Sequence, residues 1–353
     1  MLLNFEILPS KLSSYDKIRG LKEETPYHSK GWFFYLVKLY PSYKPLFVKI
    51  RDEEKEIGFF SGFLLGRCVY SPMVGTGTYT QGLSLTSYYS ICERMHIYDE
   101  LVKFLYSKKI WYIRVIDYNL RIECSHYIPE DKVFFPYLSG YNYSAKLTYT
   151  IDLNKTESEL WKNLQYKSCK YAINKASKNG LTVKLITSSD DIEWFIKIHR
   201  QHIESVRSRK KDKSKREYQD EYRLKNVCEN LYPSNVLMLY VEYLDGNGQP
   251  LVIASSIWLV GTEESFFYTG ASLEGYMHLC PNELMIWEAM RNLKKRGSLS
   301  LNMGGLFTYK KKYGSVISAI PIINFKKNSW IVTKDDFYKT IYNVIRKVKH
   351  KLC

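Results

Sequence analysis

A run of three lysines at positions 310–312 lies between Tyr309 and Tyr313, shortly after the pair Gly304-Gly305. A fixed cation can bind an anionic group or stabilise an oxyanion that develops during a reaction. Adjacent glycines let the backbone turn sharply beside whatever the preceding strand presents. Ligands of α/β proteins bind just beyond the carboxyl ends of strands, so this run is a candidate ligand site. The alternative is a set of surface lysines in a solvated loop.

A helix and a short strand are predicted immediately before this run. Pro281 suits the first helical position, because its missing N–H is not needed there. Apolar residues recur at helical spacing after it, and Gly297 can take the left-handed conformation that ends a helix. Residues 298–303 alternate polar and apolar side chains, which predicts a half-buried strand with Asn302 near its end.

A second cationic stretch, residues 160–180, contains five lysines and no acidic residue. The five are Lys162, Lys167, Lys170, Lys175 and Lys178. The pair Thr156 and Glu159 has the spacing of a capping box and predicts the start of one helix, which Asn179-Gly180 would end. Such a basic face is either simply solvated or binds an anion.

In order and spacing, residues 281–314 resemble the closing motif of the Fem-type and CelD-like acyltransferases. These belong to the GNAT N-acyltransferase superfamily and include the enzymes that build peptidoglycan cross-bridges. The motif runs helix, strand, Gly-Gly and then aromatic-Lys-x-x-aromatic-Gly. Where the family usually has Asp and Phe-Lys, this chain has Asn302 and Tyr309-Lys310. Residues 170–176, KYAINKA, resemble the family's Arg-x-x-Ile-Arg-Lys-Ala, with lysine and asparagine in place of the two arginines.

The resemblance implies roles for individual residues. Lys310 has the position of the family lysine that stabilises the oxyanion of amide formation, and is the first catalytic candidate. Tyr268 lies on the strand beside which GNAT relatives admit the acyl donor, where it would line the pocket or donate a proton. A tyrosine packed in the core is the alternative for Tyr268. The substrate-binding candidates are Lys167, Lys170, Lys175, Asn302, Tyr309 and Lys312. Lysine lacks the bidentate fork with which arginine binds phosphate, so we expect looser recognition or a different acceptor.

The resemblance and the predicted order of elements agree on a fold class. In the second half the order is strand, two helices, three antiparallel strands, helix, strand, short helix and strand, which is the GNAT order. We therefore expect an α/β protein with a mixed sheet and two GNAT-like domains in tandem. The catalytic domain would span residues 146–325, and a degenerate one residues 1–145, with residues 326–353 as a candidate addition to it. The main elements predicted in the first half are strands at residues 31–39, 46–50 and 57–70 and a helix at residues 88–108.

The acyl donor stays open between acyl-CoA and aminoacyl-tRNA. GNAT enzymes that use acyl-CoA usually hold its pyrophosphate on a loop of the form Arg/Gln-x-x-Gly-x-Gly/Ala before the helix that here begins near Pro281. Residues 275–281, GYMHLCP, contain one glycine and no such motif. Fem-type enzymes lack the motif and use aminoacyl-tRNA, whereas CelD-like relatives lack it and are assigned acyl-CoA. We expect no required cofactor, with acyl-CoA as a candidate co-substrate.

Other side chains suggest no competing chemistry. His199 and His202 lie three residues apart on one predicted helix, but no third ligand or HExxH pattern accompanies them, so no metal is expected. Seven scattered cysteines without a CxxC pair favour reduced thiols in a cytoplasmic protein. No apolar run approaches the ~18–20 residues that span a bilayer, and the first residues do not resemble a secretory leader. A predicted amphipathic helix at residues 335–352 would either pack on the domain or lie on the inner face of an anionic membrane.

The net charge of +16 predicts attraction to polyanions such as nucleic acid, anionic lipid or phosphorylated substrates. Together with the resemblance, it predicts an N-acyltransferase or aminoacyltransferase. The enzyme would form an amide on an amino group of a phosphorylated cell-envelope precursor, from cell-wall (peptidoglycan) or surface-polysaccharide biosynthesis. The competing hypothesis is a non-enzymatic RNA-binding or membrane-surface module that uses the basic helices, with affinity that falls steeply with salt. DNA is not an expected partner.

Overall fold

The computed structural model of the chain describes residues 1–10, 14, 25–42, 44–71, 82–209 and 220–328. The helix predicted at residues 335–352 lies outside these residues. No helix in the described part of the chain is both long enough and apolar enough to cross a membrane.

The strands and helices of the first half are β1 (Leu3–Leu8), α1 (Lys30–Leu39), β2 (Lys44–Asp52), β3 (Lys55–Leu65), β4 (Cys68–Ser71), β5 (Leu83–Leu85), α2 (Ile91–Ser107), β6 (Tyr112–Ile116) and β7 (Ile122–Cys124). Those of the second half are β8 (Asn142–Asp152), α3 (Glu157–Asn163), α4 (Tyr171–Lys178), β9 (Thr182–Leu185), α5 (Ile192–Arg209), α6 (Glu221–Leu231), β10 (Val236–Leu244), β11 (Pro250–Leu259), β12 (Glu264–Ser272), α7 (Pro281–Lys295), β13 (Ser300–Asn302) and β14 (Val316–Lys326). The element order predicted for the second half is confirmed, apart from one helix that is interrupted.

The strands of the described residues form one mixed sheet, which confirms the predicted fold class. Its order is β1-β2-β3-β4-β6-β14-β8-β13-β12-β11-β10-β9, with β5 beside β3 and β7 beside β14. The long strand β14 lies near the middle and pairs antiparallel with β6 on one side and with β8 on the other. Thus a strand from the end of the described chain links the strands of the first half to those of the second. The division into two domains at residue 145 stays a prediction.

Helices cover both faces of the sheet, and each face has its own apolar cluster. One cluster contains buried side chains of α2, α4 and α7, and the other contains those of α1, α5 and α6. Neighbouring strand residues such as Phe59 and Phe60 belong to opposite clusters, because successive side chains of a strand point to opposite faces. The result is a layer of helices on each side of a sheet with two buried faces.

The strand predicted at residues 31–39 is wrong, because this segment is helix α1. The hydroxyl of Ser29 accepts the Trp32 N–H at 3.2 Å and caps the helix. Trp32 and Leu36 are fully buried one turn apart, whereas Phe34 is 41 % exposed, which is the pattern of one helix face. The run of aromatic residues favoured a strand by composition, and packing against the core overrides that local preference.

The single strand predicted at residues 57–70 is also wrong. It is a hairpin in which β3 and β4 pair antiparallel around Gly66, whose φ of +60° needs a residue without a Cβ. The predicted helix over residues 156–179 begins at the Thr156 capping box, as expected, but it is broken after α3. At the break, the backbone N–H of Gln165 donates to the carbonyl of Lys312 at 2.9 Å. The interruption therefore lets the chain bond to the segment that carries the three lysines.

We predict that Gly31→Ala strongly destabilises the fold. A Cβ at residue 31 would overlap the backbone carbonyl of Asn230, so α1 and α6 would have to move apart. Overpacking a rigid contact costs about 3 kcal/mol or more, which urea unfolding should detect. Gly246→Ala is the matched control, because no atom of the described part of the chain lies within 4 Å of its added Cβ, and it should change stability by about 0.5 kcal/mol at most. Equal effects of the two substitutions would contradict the close approach of α1 to α6.

Candidate active site

The candidate site lies where two neighbouring strands separate. Strands β12 and β13 run parallel and pair over only three residues of each, ending at Phe266 and Asn302. Beyond this point β12 continues along β11 to Ser272, whereas the chain after β13 turns away at Gly304, with a φ of +69°. The gap between them is the place at which the sequence predicted a ligand site.

Asn302 holds this turn. Its side-chain oxygen accepts the Gly304 N–H at 2.9 Å and the Thr148 hydroxyl at 2.6 Å. The same hydroxyl lies 3.0 Å from the Gly304 carbonyl. Asn302 is buried, and its oxygen is occupied by contacts within the protein. Its predicted contact with substrate stays a prediction, while its contact with the turn is direct.

Lys310 is folded back onto the same turn by a 3-10 segment, Thr308–Tyr313. Its Nζ donates to the carbonyl of Met303 and, at 2.9 Å, to that of Gly305. The ammonium also lies 4.9 Å from the ring centre of Phe307 and 5.8 Å from that of Phe267. Lysine carries three N–H donors, so one is left after the two backbone bonds.

Burial sets the electrostatics of this lysine. Only 2 % of Lys310 is exposed, and removal from water lowers the pKa of its ammonium to about 8. At pH 7 the group is therefore mostly protonated, and aromatic faces and carbonyl dipoles surround it. A cation in such a place is well suited to stabilise a negative charge that develops nearby.

A central cavity of about 250 Å³ lies beside Lys310 and takes its walls from both halves of the chain. Its lining residues include Tyr27 and Tyr118 from the first half and Lys146, Tyr268, Asn302 and Lys310 from the second. The Tyr268 ring faces this cavity, but its hydroxyl is buried. Burial raises the pKa of Tyr268 well above its usual range, and the hydroxyl of Tyr35 raises it further. Tyr268 therefore keeps its proton at neutral pH. Its role as a proton donor stays a prediction.

Two further cavities adjoin the central one. An apolar cavity of about 290 Å³ shares Phe267 with it and is lined by side chains of β12, α7 and the 3-10 segment, including Met285, Ile286 and Tyr309. An outer groove of about 890 Å³ shares Lys146 and Gly305 with the central cavity. Lys310 thus lies beside a central cavity that shares wall residues with two others.

The remaining predicted site residues lie at the edges of this arrangement. Lys312 forms an ion pair with Glu283 at 2.5 Å, in the wall of the apolar cavity, and Tyr309 is 46 % exposed there. Lys170 donates to the carbonyl of Lys162 at 2.9 Å. None of Lys167, Lys170 and Lys175 lines the three cavities, although α4 packs against α7. Their role in binding substrate stays a prediction.

Sequence reasoning missed three residues that shape the site. Phe267 separates the central cavity from the apolar one, and Glu283 pairs with Lys312. Glu264 is buried beside Asn302 and is paired with Arg121. A pattern of aromatic or charged residues cannot identify these contacts, because each joins residues of different elements that only the tertiary structure brings together.

The two histidines considered as metal ligands have a structural role. The Nδ1 atoms of His199 and His202 both lie within hydrogen-bond distance of the Ser255 hydroxyl, at 2.8 and 2.7 Å. Burial lowers the pKa of His199 to about 3 and that of His202 to about 4. Among the residues that the structure describes, no group of three or more His, Cys, Asp or Glu side chains is arranged to hold a metal ion.

Comparison with known proteins supports the resemblance inferred from the motifs. Residues 164–311 match the family model of the GNAT acetyltransferase domain, and this segment includes Tyr268, Asn302 and Lys310. A search of curated protein sequences finds no match. The crystal structure of FemX is similar with a TM-score of 0.63 and 11 % identity, over 90 % of this chain and 96 % of FemX.

A conserved protein of unknown function from Bacteroides thetaiotaomicron is also similar, with a TM-score of 0.51 and 11 % identity, over 91 % of this chain and 99 % of that protein. Identities this low show the fold. The chain therefore has the fold of FemX, and residues 164–311 match the GNAT acetyltransferase domain, which confirms the predicted enzyme class, an acyltransferase.

We predict that the buried histidines make the protein lose stability on acidification. Both have a folded-state pKa below the unfolded value of about 6.5, so the unfolded chain binds protons first as the pH falls. The free energy of unfolding should drop between about pH 6.5 and pH 4. In His202→Gln this drop should be less steep by up to about 1.4 kcal/mol per pH unit. The exposed His126→Gln is the control, and an equal slope in wild type and His202→Gln would contradict the prediction.

Proposed function

We propose that the chain is an N-acyltransferase or aminoacyltransferase that forms an amide on an amino group of a cell-wall or surface-polysaccharide precursor. Acyl-CoA or aminoacyl-tRNA would be the donor. The observation that carries this proposal is the placement of Lys310, a buried ammonium with one N–H donor left, beside a cavity that two other cavities adjoin. The GNAT domain supports acyl transfer, and the likeness to FemX supports the precursor class by analogy of fold.

In the proposed reaction the two substrates enter from opposite sides. The acyl group of the donor reaches the central cavity from the apolar cavity, past Phe267. The acceptor amine reaches it from the outer groove, past Lys146 and Gly305. Such an arrangement keeps the donor in mostly apolar surroundings and gives the polar acceptor the open, charged groove.

The chemical step is a direct attack of the amine on the donor's carbonyl carbon. The electron pair of the C=O bond moves to oxygen, and the oxyanion accepts the N–H of Lys310 that the turn leaves over. Collapse of the tetrahedral intermediate forms the amide bond and expels a thiolate or an alkoxide. The proton lost by the amine neutralises this leaving group, so no cofactor and no covalent enzyme intermediate are needed.

Phosphate groups of a substrate would bind to the cationic residues near this site. Lys167 is exposed, and the side chains of Lys170 and Lys175 are partly exposed, so all three are accessible to an anion. Lys312 is partly neutralised by Glu283, which leaves it a weaker anion ligand than the lysines of α4. A polyanionic donor or a phosphorylated acceptor would be attracted by the same surface, which carries part of the net charge of +16.

Substitution of Lys310 tests the catalytic assignment. Lys310→Met should lower kcat by about 100-fold or more, because removing one oxyanion donor costs roughly 2.7–4 kcal/mol. In wild type, kcat should fall as the pH rises through about 8, since the cation is then lost. Lys310→Arg should be slower but should lack this fall, because guanidinium stays charged. A different result would indicate that the neutral amine of Lys310 acts as a base. In that case the wild-type rate would rise as the pH passes 8, and Lys310→Arg would be inactive.

The apolar cavity provides a test of the donor. Acetyl-CoA or a longer acyl-CoA at about 100 times its dissociation constant should stabilise the folded protein by about 2.7 kcal/mol, seen as a rise in Tm of a few degrees. Val206→Trp narrows the cavity from α5 and should abolish this rise. A rise of equal size in the variant would place the donor elsewhere. No rise with any acyl-CoA would favour aminoacyl-tRNA, and salt-sensitive RNA binding without product would favour the binding-module hypothesis.

A further inference from the structure

The strongest unexplained feature near the site is a buried carboxylate. Glu264 begins β12 and is 1 % exposed, and its Oε1 accepts Arg121 Nη1 at 2.7 Å. Its other oxygen, Oε2, has no hydrogen-bond partner among the residues that the structure describes. A buried carboxylate oxygen without a partner costs stability, whereas the other oxygen of Glu264 connects it to the candidate site.

The carboxylate is connected to the turn that holds Lys310. The Asn302 amide nitrogen lies 3.5 Å from the same Glu264 Oε1 that Arg121 contacts. With its nitrogen directed to Glu264, the Asn302 amide must direct its oxygen to the N–H of Gly304 and to Thr148. The orientation of one amide group thus links Glu264 to the backbone of the turn.

The turn also sets the position of the Lys310 ammonium. The carbonyls that accept from Lys310 belong to Met303 and Gly305, the residues on either side of Gly304. A rotation of the Asn302 amide would release the Gly304 N–H and let both carbonyls move. Hydrogen bonds therefore connect Arg121 to Glu264, Asn302 and the Gly304 N–H, and the backbone of the turn connects these to the two carbonyls that hold Lys310.

We propose that Arg121 and Glu264 are positioning residues for Lys310, through which the first half of the chain contributes to the site in the second half. The proposal rests on the proposed role of Lys310 in catalysis. Arg121 follows β6 and the segment at residues 118–120, so it comes from the half that lacks the lysine. Its guanidinium lies against Glu264 Oε1, and the same oxygen accepts from the Asn302 amide.

The groups around Glu264 shift its pKa in opposite directions. Burial holds the pKa of Glu264 above its usual range; the guanidinium of Arg121 and the hydrogen bond from Asn302 oppose this rise, and the neighbouring Glu263 adds to it. Arg121 is therefore the cation that favours the ionised form of Glu264. Its removal should protonate or displace Glu264, weaken the hold on Asn302 and let water reach the ammonium of Lys310.

The titration of Lys310 itself is the test. The protein is labelled with ¹³C at Cε of lysine, and the Lys310 signal is assigned by its absence in Lys310→Met. In wild type its NMR titration should have a midpoint near pH 8. In both Arg121→Gln and Glu264→Met, the Lys310 midpoint should rise toward the ordinary lysine value of about 10.4, because the ammonium regains contact with water.

The direction in which the Lys310 midpoint moves distinguishes positioning from a direct electrostatic effect. Loss of a nearby positive charge would by itself raise the midpoint in Arg121→Gln, whereas loss of a negative charge would lower it in Glu264→Met. A midpoint that follows these opposite signs, or that stays near pH 8 in both variants, would overturn the proposal. Lys49→Gln is the matched control, since it removes one cation from a partly buried pair with Glu56 and should leave the midpoint unchanged.

The test distinguishes a failure of the variants to fold from a failure of the proposed function. Arg121 is 30 % exposed, so Arg121→Gln should fold even if Glu264→Met does not. If the Lys310 midpoint stays at about pH 8 in Arg121→Gln, that result by itself overturns the proposal. Neither donor nor acceptor enters the titration. A failure to find transferase activity therefore leaves this result intact, and a failure of this result leaves the Lys310→Met activity test intact.

Discussion

The site depends on a buried ammonium that has no carboxylate partner among the residues that the structure describes. Lys310 is held by two backbone carbonyls and lies over the Phe307 ring, and burial lowers its pKa to about 8. A carboxylate at this place would neutralise the cation and leave nothing for a developing oxyanion. The protein instead uses dipoles and aromatic faces, which stabilise the ammonium without cancelling its charge. The glycine turn holds this group directly, and the buried Asn302 holds the turn.

A single sheet explains how two halves of the chain build one site. Strand β14 lies between β6 and β8, so strands from both halves are fixed in one hydrogen-bonded register. The central cavity then takes Tyr27 and Tyr118 from one half and Lys310 and Asn302 from the other. Because their relative position is set by backbone pairing, the first half contributes walls of the cavity and Arg121, the ion-pair partner of Glu264, even though it lacks the lysine motif.

Two cysteines near the site and the two histidines of α5 have environments that disfavour reactivity. Burial raises the pKa of the Cys169 thiol to about 12 and also raises that of Cys280, so neither is a ready nucleophile. The two histidines on α5 are neutral and share the Ser255 hydroxyl. These facts favour a mechanism in which the enzyme orients two substrates and stabilises charge, and does not itself become acylated.

Local signals in the sequence determined the elements around the site, and the tertiary structure decided its chemistry. Pro281, Gly297 and the Thr156–Glu159 box marked helix ends correctly, because capping involves residues only a few positions apart. The aromatic run of α1 was misjudged, since burial on one helix face is decided by what packs against it. The lysine at position 310 was identifiable from its motif, but its burial and its pKa were not. Glu264 and Arg121 are 143 residues apart along the chain, and only the sheet brings them together.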